Sequence, residues 1–360
     1  MLRIKDIALE ANVSEGTVDR VLHNRGGVSK KTEEKIKKIL EGRNFIQNPV
    51  ASALAMQNSF SIGVLIPEFT DDDIFWKSPY FGVLKASNEV KNTGIRVDCF
   101  SFNPSKPSSY IDAFNELING KPSAVLLVPF FIENTKKILY QLKNLNIECY
   151  FLNIEPLGFD DVCFIGQDAY KSGLIAGKLM SLSIQEKTSI LIIKAKNQVK
   201  NQTISSRIKG CLDYFKENNL NNSITKLIID NFTDVASNKK TIETFLEKNK
   251  SIKGIFIPSS RISLIVKCLS EERLKDLKLI GFDNTEKNVE FLKEDSIAFL
   301  ISQKPFEQGY EAIRLIANQL KIKKIISNKI YLPIDILIKE NVIYHDLNQK
   351  LFENENYLKK

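Results

Sequence analysis

The fold of the N-terminal part is decided by residues 4–22, which read IKDIALEANVSEGTVDRVL. Apolar residues on one face of a helix recur at i, i+3, i+4 and i+7. The first half of the stretch follows that spacing with Ile4, Ile7, Ala8 and Ala11. Asn12 and Val13 then interrupt the pattern, and Ser14 is a residue type that caps the start of a helix. The stretch therefore predicts two short helices joined by a tight turn.

A third helix and a short fourth are expected before residue 60. Ser29 is a second N-cap candidate, and Gly42 follows a pattern in which acidic residues come early and basic residues late. Residues 44–67 carry no charge, and NPVASALA over residues 48–55 predicts a helix of about two turns. Such a helix is not stable alone in water, so we expect it to pack on a partner or to form on binding.

Beyond residue 60, short apolar strands alternate with amphipathic helices. This alternation is typical of parallel sheets with helices on both faces, and about ten strands are too many for one small sheet. The sequence therefore predicts an α/β protein, with an all-α helix-turn-helix unit and a hinge helix followed by two doubly wound lobes.

The expected boundaries divide the chain into four segments. These are a helix-turn-helix unit over 1–47, a hinge helix and linker over 48–60, two lobes over 61–345, and a polar tail over 346–360. Lobe 1 is expected to contain about 61–165 and 303–328, and lobe 2 about 166–302 and 329–345. The last strand is expected as one element over 329–338.

The composition excludes several classes of site. The chain has 360 residues and a net charge of +8, with five Cys that form no CxxC pair and only two His. We therefore expect no zinc cluster, disulfide framework, His-based triad or cofactor. The N-terminus lacks the apolar region of a signal peptide, and no apolar run reaches the ~18 residues of a membrane span, so a cytoplasmic protein is expected. Residues 1–60 hold ten Lys and Arg against seven Asp and Glu, which permits a nucleic-acid partner.

Residues 4–55 match a known DNA-binding unit motif by motif. In order, the motifs are A-x-x-A-x-V-S, T-V-x-R-V-L, V-S-x-x-T and F-I-x-N-x-V-A-x-x-L. SIGVLIP follows at residues 61–67, and IYLPIDILIKENV stands at residues 330–342. Over nearly its whole length the chain resembles the lactose-repressor (LacI/GalR) family of bacterial transcription regulators. The resemblance implies an effector domain with the fold of ribose-type periplasmic binding proteins, whose ligand lies between two lobes.

The resemblance also implies which residues contact double-stranded DNA. Glu15, Gly16 and Arg20 match the base-reading positions, and Arg20 suits a two-pronged contact with guanine. Leu54 matches the hinge-helix leucine that wedges a base step apart in the minor groove. The full set is Ser14, Glu15, Gly16, Thr17, Arg20, His23, Asn24, Asn48, Ala51 and Leu54. The alternatives are that this face is merely solvated and that Leu54 is an ordinary linker residue.

Eight further positions match ligand-contacting positions of the family: Phe75, Trp76, Asn153, Gln167, Arg207, Ser259, Asp283 and Gln303. The aromatic pair suits the apolar face of a sugar, while Arg207 and Asp283 suit ligand oxygens and hydroxyls. Each has a plainer alternative, because the two rings can pack under a loop. Arg207 can form a surface ion pair, and Asp283 can cap the next helix.

The resulting hypothesis is a regulator controlled by a small-molecule effector, a sugar by resemblance. A homodimer would present two reading heads to a pseudo-palindromic operator. The first alternative is a periplasmic-type sugar-binding protein, which the extra 60 residues and the absent signal peptide disfavour. The second is an enzyme, but no nucleophile–base pair, metal cluster or phosphate loop is discernible in the sequence.

Overall fold

The computed structural model describes residues 4–22, 26–42, 60–70, 74–198, 201–322 and 329–344. The chain divides into two compact units, Met1–Gln57 and Asn58–Lys360.

The first unit contains three helices: α1 (Ile4–Ala11), α2 (Glu15–Leu22) and α3 (Lys30–Gly42). Their bounds confirm the helices expected from the caps and the apolar spacing. Buried apolar residues from all three helices form one small core: Ile7, Ala8, Ala11, Val18, Val21 and Ile36. The helix predicted over residues 48–55 lies outside the described residues.

The second unit contains two sheets. In chain order, the strands are β1 (Phe60–Pro67), β2 (Ile95–Phe102), β3 (Ala124–Leu127), β4 (Glu148–Leu152), β5 (Cys163–Gly166), β6 (Ser189–Ala195), β7 (Ser223–Ile229), β8 (Ile252–Phe256), β9 (Lys278–Phe282), β10 (Phe299–Ser302), β11 (Lys329–Tyr331) and β12 (Asp335–Leu337). Sheet 1 has the order β11-β5-β4-β3-β1-β2, and sheet 2 has the order β12-β10-β9-β8-β6-β7. The pairing is parallel except for β12, which runs antiparallel to β10.

Helices cover both faces of each sheet. In chain order they are α4 (Lys77–Lys91), α5 (Pro107–Asn119), α6 (Ile132–Asn144), α7 (Ala169–Ser183), α8 (Gln202–Glu217), α9 (Val235–Lys248), α10 (Ile262–Val266), α11 (Glu271–Asp276), α12 (Glu286–Lys293) and α13 (Pro305–Ile322). Sheet 1 with α4, α5, α6 and α13 forms lobe 1, and sheet 2 with α7 to α12 forms lobe 2. Apolar clusters lie on both faces of each sheet, as expected for strands that are continuous apolar runs.

The chain passes between the lobes three times: after β5, after β10 and between β11 and β12. The last passage corrects the prediction of one strand over 329–338, and with it the assignment of 329–345 to lobe 2. Lys329–Tyr331 joins sheet 1, and only Asp335–Leu337 joins sheet 2. Pro333 lies between them and has no backbone N–H to continue a ladder.

Short elements account for the other differences from the predictions. Strand β5, with four residues, is not among the expected strands, although β3 and β10 are equally short. Helices α10, α11 and α12 have at most eight residues each and were not expected, because so few residues show little helical spacing. None of the described helices has the length and apolarity needed to cross a membrane.

Candidate functional site

A serine side chain caps the start of each of the two later helices of the first unit, α2 and α3. The Thr17 backbone N–H donates to Ser14 Oγ at 3.2 Å, and the two hydroxyl oxygens lie 2.9 Å apart. Ser29 and Thr32 repeat this arrangement at the start of α3, with distances of 3.2 and 2.8 Å. The Ser14 cap therefore satisfies one of the free N–H groups at the start of α2 and holds the turn before it.

The predicted base-reading residues lie on the solvent face of α2. Glu15, Gly16 and Arg20 are exposed, whereas Val18 and Val21 are buried against α1 and α3. The Arg20 guanidinium lies beside the turn before α3, with Nη1 3.3 Å from the point that a β-carbon on residue 27 would occupy. The remaining DNA-contact candidates lie outside the described residues: His23, Asn24, Asn48, Ala51 and Leu54.

Asn153 and Asp283 occupy equivalent places in the two lobes. Each directly follows one strand of its sheet, β4 or β9, and both have a φ of 65°. The Asn153 N–H donates to the Ile165 carbonyl and the Asp283 N–H to the Ile301 carbonyl, both at 3.0 Å. Asn and Asp adopt this left-handed conformation more readily than most residues. Each lobe thus places one short polar side chain at the carboxyl edge of its sheet, where ligands of open α/β sheets bind.

Gln167 and Gln303 form a second equivalent pair, at two of the passages between the lobes. Gln167 follows the last residue of β5, and Gln303 follows Ser302, the last residue of β10. Both side chains are buried, and Gln167 Nε2 donates to the Ser302 carbonyl at 2.9 Å. The two passages are therefore joined directly by a buried hydrogen bond.

Asp283 is a buried carboxylate, and Gln303 donates to both of its oxygens. The Gln303 backbone N–H reaches Oδ1 at 3.2 Å, and its Nε2 reaches Oδ2 at 2.8 Å. Burial raises the pKa of Asp283 to about 6, although Arg207 and the two Gln303 hydrogen bonds oppose this rise. On the other side of Gln303, its Oε1 lies 3.4 Å from Asn153 Nδ2. The amide of Gln303 thus connects the polar residues of the two lobes.

Arg207 is a buried cation on α8. It is 3% exposed, its Nη1 donates to the Pro258 carbonyl at 3.0 Å, and its Cζ lies 3.8 Å from the centre of the Phe282 ring. Burial lowers its pKa to about 10, with the charge of Asp283 acting in the opposite direction. Arg207 therefore stays protonated at neutral pH, held by stacking and by a carbonyl.

Three buried polar atoms in this cluster have no hydrogen-bond partner among the described residues: Gln167 Oε1, Arg207 Nε and Ser259 Oγ. Only two other side-chain atoms of the described residues share this property, Glu243 Oε1 and Gln319 Oε1. Buried polar groups are nearly always paired, because each unpaired one costs about 1–3 kcal/mol. A polar molecule bound at the carboxyl edges of the two sheets would give these three atoms hydrogen-bond partners.

The aromatic pair lies in lobe 1. Trp76 is 5% exposed and belongs to the apolar cluster between sheet 1 and the helices α4 and α13. Its ring meets the half-buried Phe75 ring edge-on, with the centroids 5.0 Å apart. The Trp76 side chain is therefore part of the apolar core of lobe 1. Stacking of either ring on a ligand stays a prediction.

Two buried amides that the sequence did not suggest hold the predicted residues in place. Gln308 Oε1 accepts from Asn153 Nδ2 at 3.0 Å, and its Nε2 donates to the Gln303 carbonyl at 2.8 Å. Asn288 Nδ2 donates to the carbonyls of Ser260, Phe282 and Asp283 at 2.9–3.0 Å. Each amide is five residues beyond the site residue whose carbonyl it binds, on the following helix. The sequence signal that could have identified these two amides is a polar residue at a position where the apolar spacing of the helix predicts a buried side chain.

Six of the predicted ligand-contacting residues are buried polar side chains, and they are called the cleft residues below: Asn153, Gln167, Arg207, Ser259, Asp283 and Gln303. They supply three buried amides, a hydroxyl, a guanidinium and a carboxylate, which are groups that can bind hydroxyls and other oxygens. Within the described ranges, no three His, Cys, Asp or Glu residues are grouped so as to hold a metal ion.

Comparison with known proteins matches two parts of the chain to family models. Residues 62–324 match the periplasmic binding protein domain, and residues 3–48 match the bacterial regulatory proteins of the lacI family. The first match spans more than half of the chain.

Individual relatives are distant in sequence but similar in length. The chain is 23% identical to the ribose operon repressor of Lactococcus lactis subsp. lactis (strain IL1403) over 348 residues, covering 95% of this chain and 98% of that protein. It is 25% identical to the sucrose operon repressor of Lactococcus lactis subsp. lactis over 292 residues, covering 79% and 84%. A crystal structure described as a LacI transcriptional regulator from Bacteroides fragilis superposes with a TM-score of 0.68 at 24% identity, covering 80% and 99%.

The two family matches agree with the two units of the structure. The helical unit carries the capped helix α2, and the two-lobed unit carries the polar residues at the carboxyl edges of its sheets. The chain therefore belongs to the periplasmic binding protein domain family and carries the DNA-binding domain of the lacI family of bacterial transcription regulators.

Proposed function

We propose that this protein is a transcriptional repressor of the cytoplasm, controlled by a sugar bound between its two lobes. The observation that carries this proposal is the buried polar cluster around Asp283. Its unpartnered atoms include an acceptor, Gln167 Oε1, a donor, Arg207 Nε, and the hydroxyl of Ser259. A molecule that satisfies all three must both donate and accept hydrogen bonds, as a polyhydroxylated ligand does.

The sugar is proposed to contact both lobes at once. Its hydroxyls donate to Asp283 and Gln167, its oxygens accept from Arg207, and Asn153 and Gln303 bind from the other side. Phe75 and Trp76 are proposed to cover its apolar face. The names of the ribose and sucrose operon repressors support a sugar as the effector.

Ligand control is proposed to act through the lobes. The three passages between them allow the lobes to rotate, and a ligand that contacts both lobes favours one arrangement. We infer that the chain works as a homodimer, so that this rotation changes the spacing of two hinge segments on a pseudo-palindromic operator. The ligand then alters operator affinity by its differential affinity for the two arrangements.

The test of DNA reading is Arg20→Ala. We expect it to lose about 1–3 kcal/mol of specific binding and to relax one base position in each half-site, because a two-pronged contact with guanine is lost. The operator is first selected from random DNA with the wild-type protein, and each variant is then measured on the operator and its single-base substitutions. Lys38→Ala, an exposed cation on α3, is the matched control. Equal weakening by Arg20→Ala on all sequences would identify Arg20 as a phosphate contact instead.

The test of the hinge segment is Leu54→Ala. We expect operator affinity to fall about 10-fold and DNA bending to decrease, since an apolar wedge no longer separates a base step. Sugar binding should remain intact, because the cleft residues lie elsewhere in the chain. Gel mobility of circularly permuted operator fragments measures the bend, with Met56→Ala as the control. Unchanged bending and affinity would show that this leucine does not enter the DNA.

A further inference from the structure

Lobe 1 contains a cavity at the amino edge of sheet 1, opposite the edge that carries Asn153. Its volume is about 480 Å³, within the ~300–1,000 Å³ typical of small-molecule sites. Much of its wall is apolar, with Leu142, Phe159 and Val162 among the lining residues. None of the cleft residues lines it, so it is separate from the proposed sugar site.

The polar wall of this cavity is rich in acceptors. Glu148 Oε2 accepts from the Tyr150 hydroxyl at 2.6 Å and from Gln319 Nε2 at 2.9 Å. Burial and the neighbouring Glu148 both raise the pKa of Tyr150, so its hydroxyl remains a donor. Gln319 Oε1 is buried and has no partner among the described residues. A molecule bound in this cavity can therefore donate a hydrogen bond to Gln319 Oε1.

The charges around the cavity favour a cation. Two carboxylates line it, Glu148 and Asp161, against one ammonium group, Lys143. Among the described residues, the hydrogen-bond donors to Glu148 are the neutral hydroxyl of Tyr150 and the neutral amide of Gln319. A carboxylate that is bonded by neutral groups retains its attraction for a cation, and a charge-assisted hydrogen bond is about twice as strong as a neutral one.

We propose that this cavity is a second ligand site, which takes a small organic amine with an apolar body. The body packs against Leu142, Phe159 and Val162, and the ammonium group donates to Gln319 Oε1 and to the carboxylate of Glu148. An anion of the same size is repelled by the two carboxylates and by the unpaired carbonyl oxygen of Gln319, so we expect it not to bind.

The elements around this cavity also carry cleft residues at their other ends. Strand β4 begins at Glu148 and is followed by Asn153, while β5 begins at Cys163 and is followed by Gln167. Helix α13 carries Gln308 in its first turn and Gln319 in its last. A bound amine thus contacts the same two strands and helix that position the amides of the cleft.

The experiment is a calorimetric titration of the full chain with 2-phenylethylamine at pH 7. The comparison probes are 3-phenylpropionate and 2-phenylethanol, which have a similar size with the opposite charge or none. We expect the amine to bind at least about 10-fold more tightly than the carboxylate, and Glu148→Gln to weaken amine binding about 10-fold. The same variant should change phenylethanol binding less than about 2-fold, because only the charge is removed.

Glu186→Gln, a change of an exposed carboxylate in lobe 2, is the matched control. Circular dichroism and thermal unfolding of each variant establish that it is folded. If Glu148→Gln does not fold, Gln319→Leu replaces it, with the same expected loss of amine binding. The proposal is overturned by absence of saturable amine binding, by equal affinity for amine and carboxylate, or by an affinity that neither variant changes. It is equally overturned if Asp283→Asn removes amine binding, since the amine would then lie in the cleft.

Discussion

Replacing Asp283 with Asn is expected to lower the affinity for the sugar about 100-fold, because a buried carboxylate that accepts hydroxyl donors is lost. Operator binding without sugar should be unaffected, so the variant should no longer respond to moderate sugar concentrations. A thermal-shift screen of the wild type with pentoses and hexoses identifies the sugar, since a ligand stabilises the state that it binds. Calorimetric titration of the wild type and the variant with that sugar then measures the loss.

The same residue predicts a pH dependence of sugar binding. The pKa of Asp283 is raised to about 6 in the folded protein, from an ordinary value of 3.8. Only the ionised carboxylate accepts from two hydroxyls, so sugar affinity should rise roughly 10-fold between pH 5 and pH 7. The stability of the ligand-free protein should change in the opposite direction. A raised folded-state pKa means that the fold binds the proton more tightly, and this stabilisation is lost as pH rises through about 4 to 6.

Asp234→Asn is the matched control for both measurements. Asp234 caps α9, accepting from the Ser237 N–H at 3.0 Å, and Asn caps a helix equally well. The control should keep the wild-type sugar affinity and its rise with pH, whereas Asp283→Asn should remove that rise. Normal sugar affinity in Asp283→Asn would place the ligand away from this carboxylate and would refute the proposed cleft.

The cleft residues could be proposed from sequence because a resemblance supplied them and short-range patterns agreed with it; their contact with a ligand stays a prediction. Asp283 ends the apolar run of β9, and polar residues after buried parallel strands collect at one edge of a sheet. The same kind of local signal located α2 and α3, whose capping serines, Ser14 and Ser29, are followed by threonine three residues later. Such features are readable because the interacting residues are close in the sequence.

The residues that sequence analysis missed depend on contacts between distant segments. Gln308 is needed only because the chain returns to lobe 1 beside Asn153, which is 155 residues earlier. The local sequence gives Asn288 no special role, because its hydrogen bond to the Ser260 carbonyl depends on a loop that comes 28 residues earlier. Trp76 is buried in a cluster with residues of helices α4 and α13, which come from opposite ends of the two-lobed unit. The spacing of residues within one segment does not predict such contacts between distant segments.

The position of Arg207 depends on a close approach between α7 and α8. Gly173 of α7 lies against the backbone of α8, so that a β-carbon there would stand 2.1 Å from the Arg207 carbonyl oxygen. Gly210 of α8 faces α7 in the same way, and its β-carbon would stand 2.1 Å from the Tyr170 carbonyl oxygen. Two glycines thus allow the helices to touch through their backbones, and this contact sets how far Arg207 reaches toward Phe282 and Pro258.

Replacing Gly173 with Ala is therefore expected to destabilise lobe 2 by about 3 kcal/mol or more, because backbone atoms cannot move aside as a side chain can. The helices must separate, which also withdraws Arg207 from the cleft, so the folded fraction should bind the sugar more weakly than the wild type. Urea unfolding followed by circular dichroism measures the stability, and calorimetry below the unfolding transition measures the sugar affinity. Gly42→Ala is the control, since a β-carbon at the end of α3 would meet no atom within 4 Å. An unfolding midpoint in Gly173→Ala equal to those of the wild type and the control would show that the two helices separate without loss, and that their contact does not position Arg207.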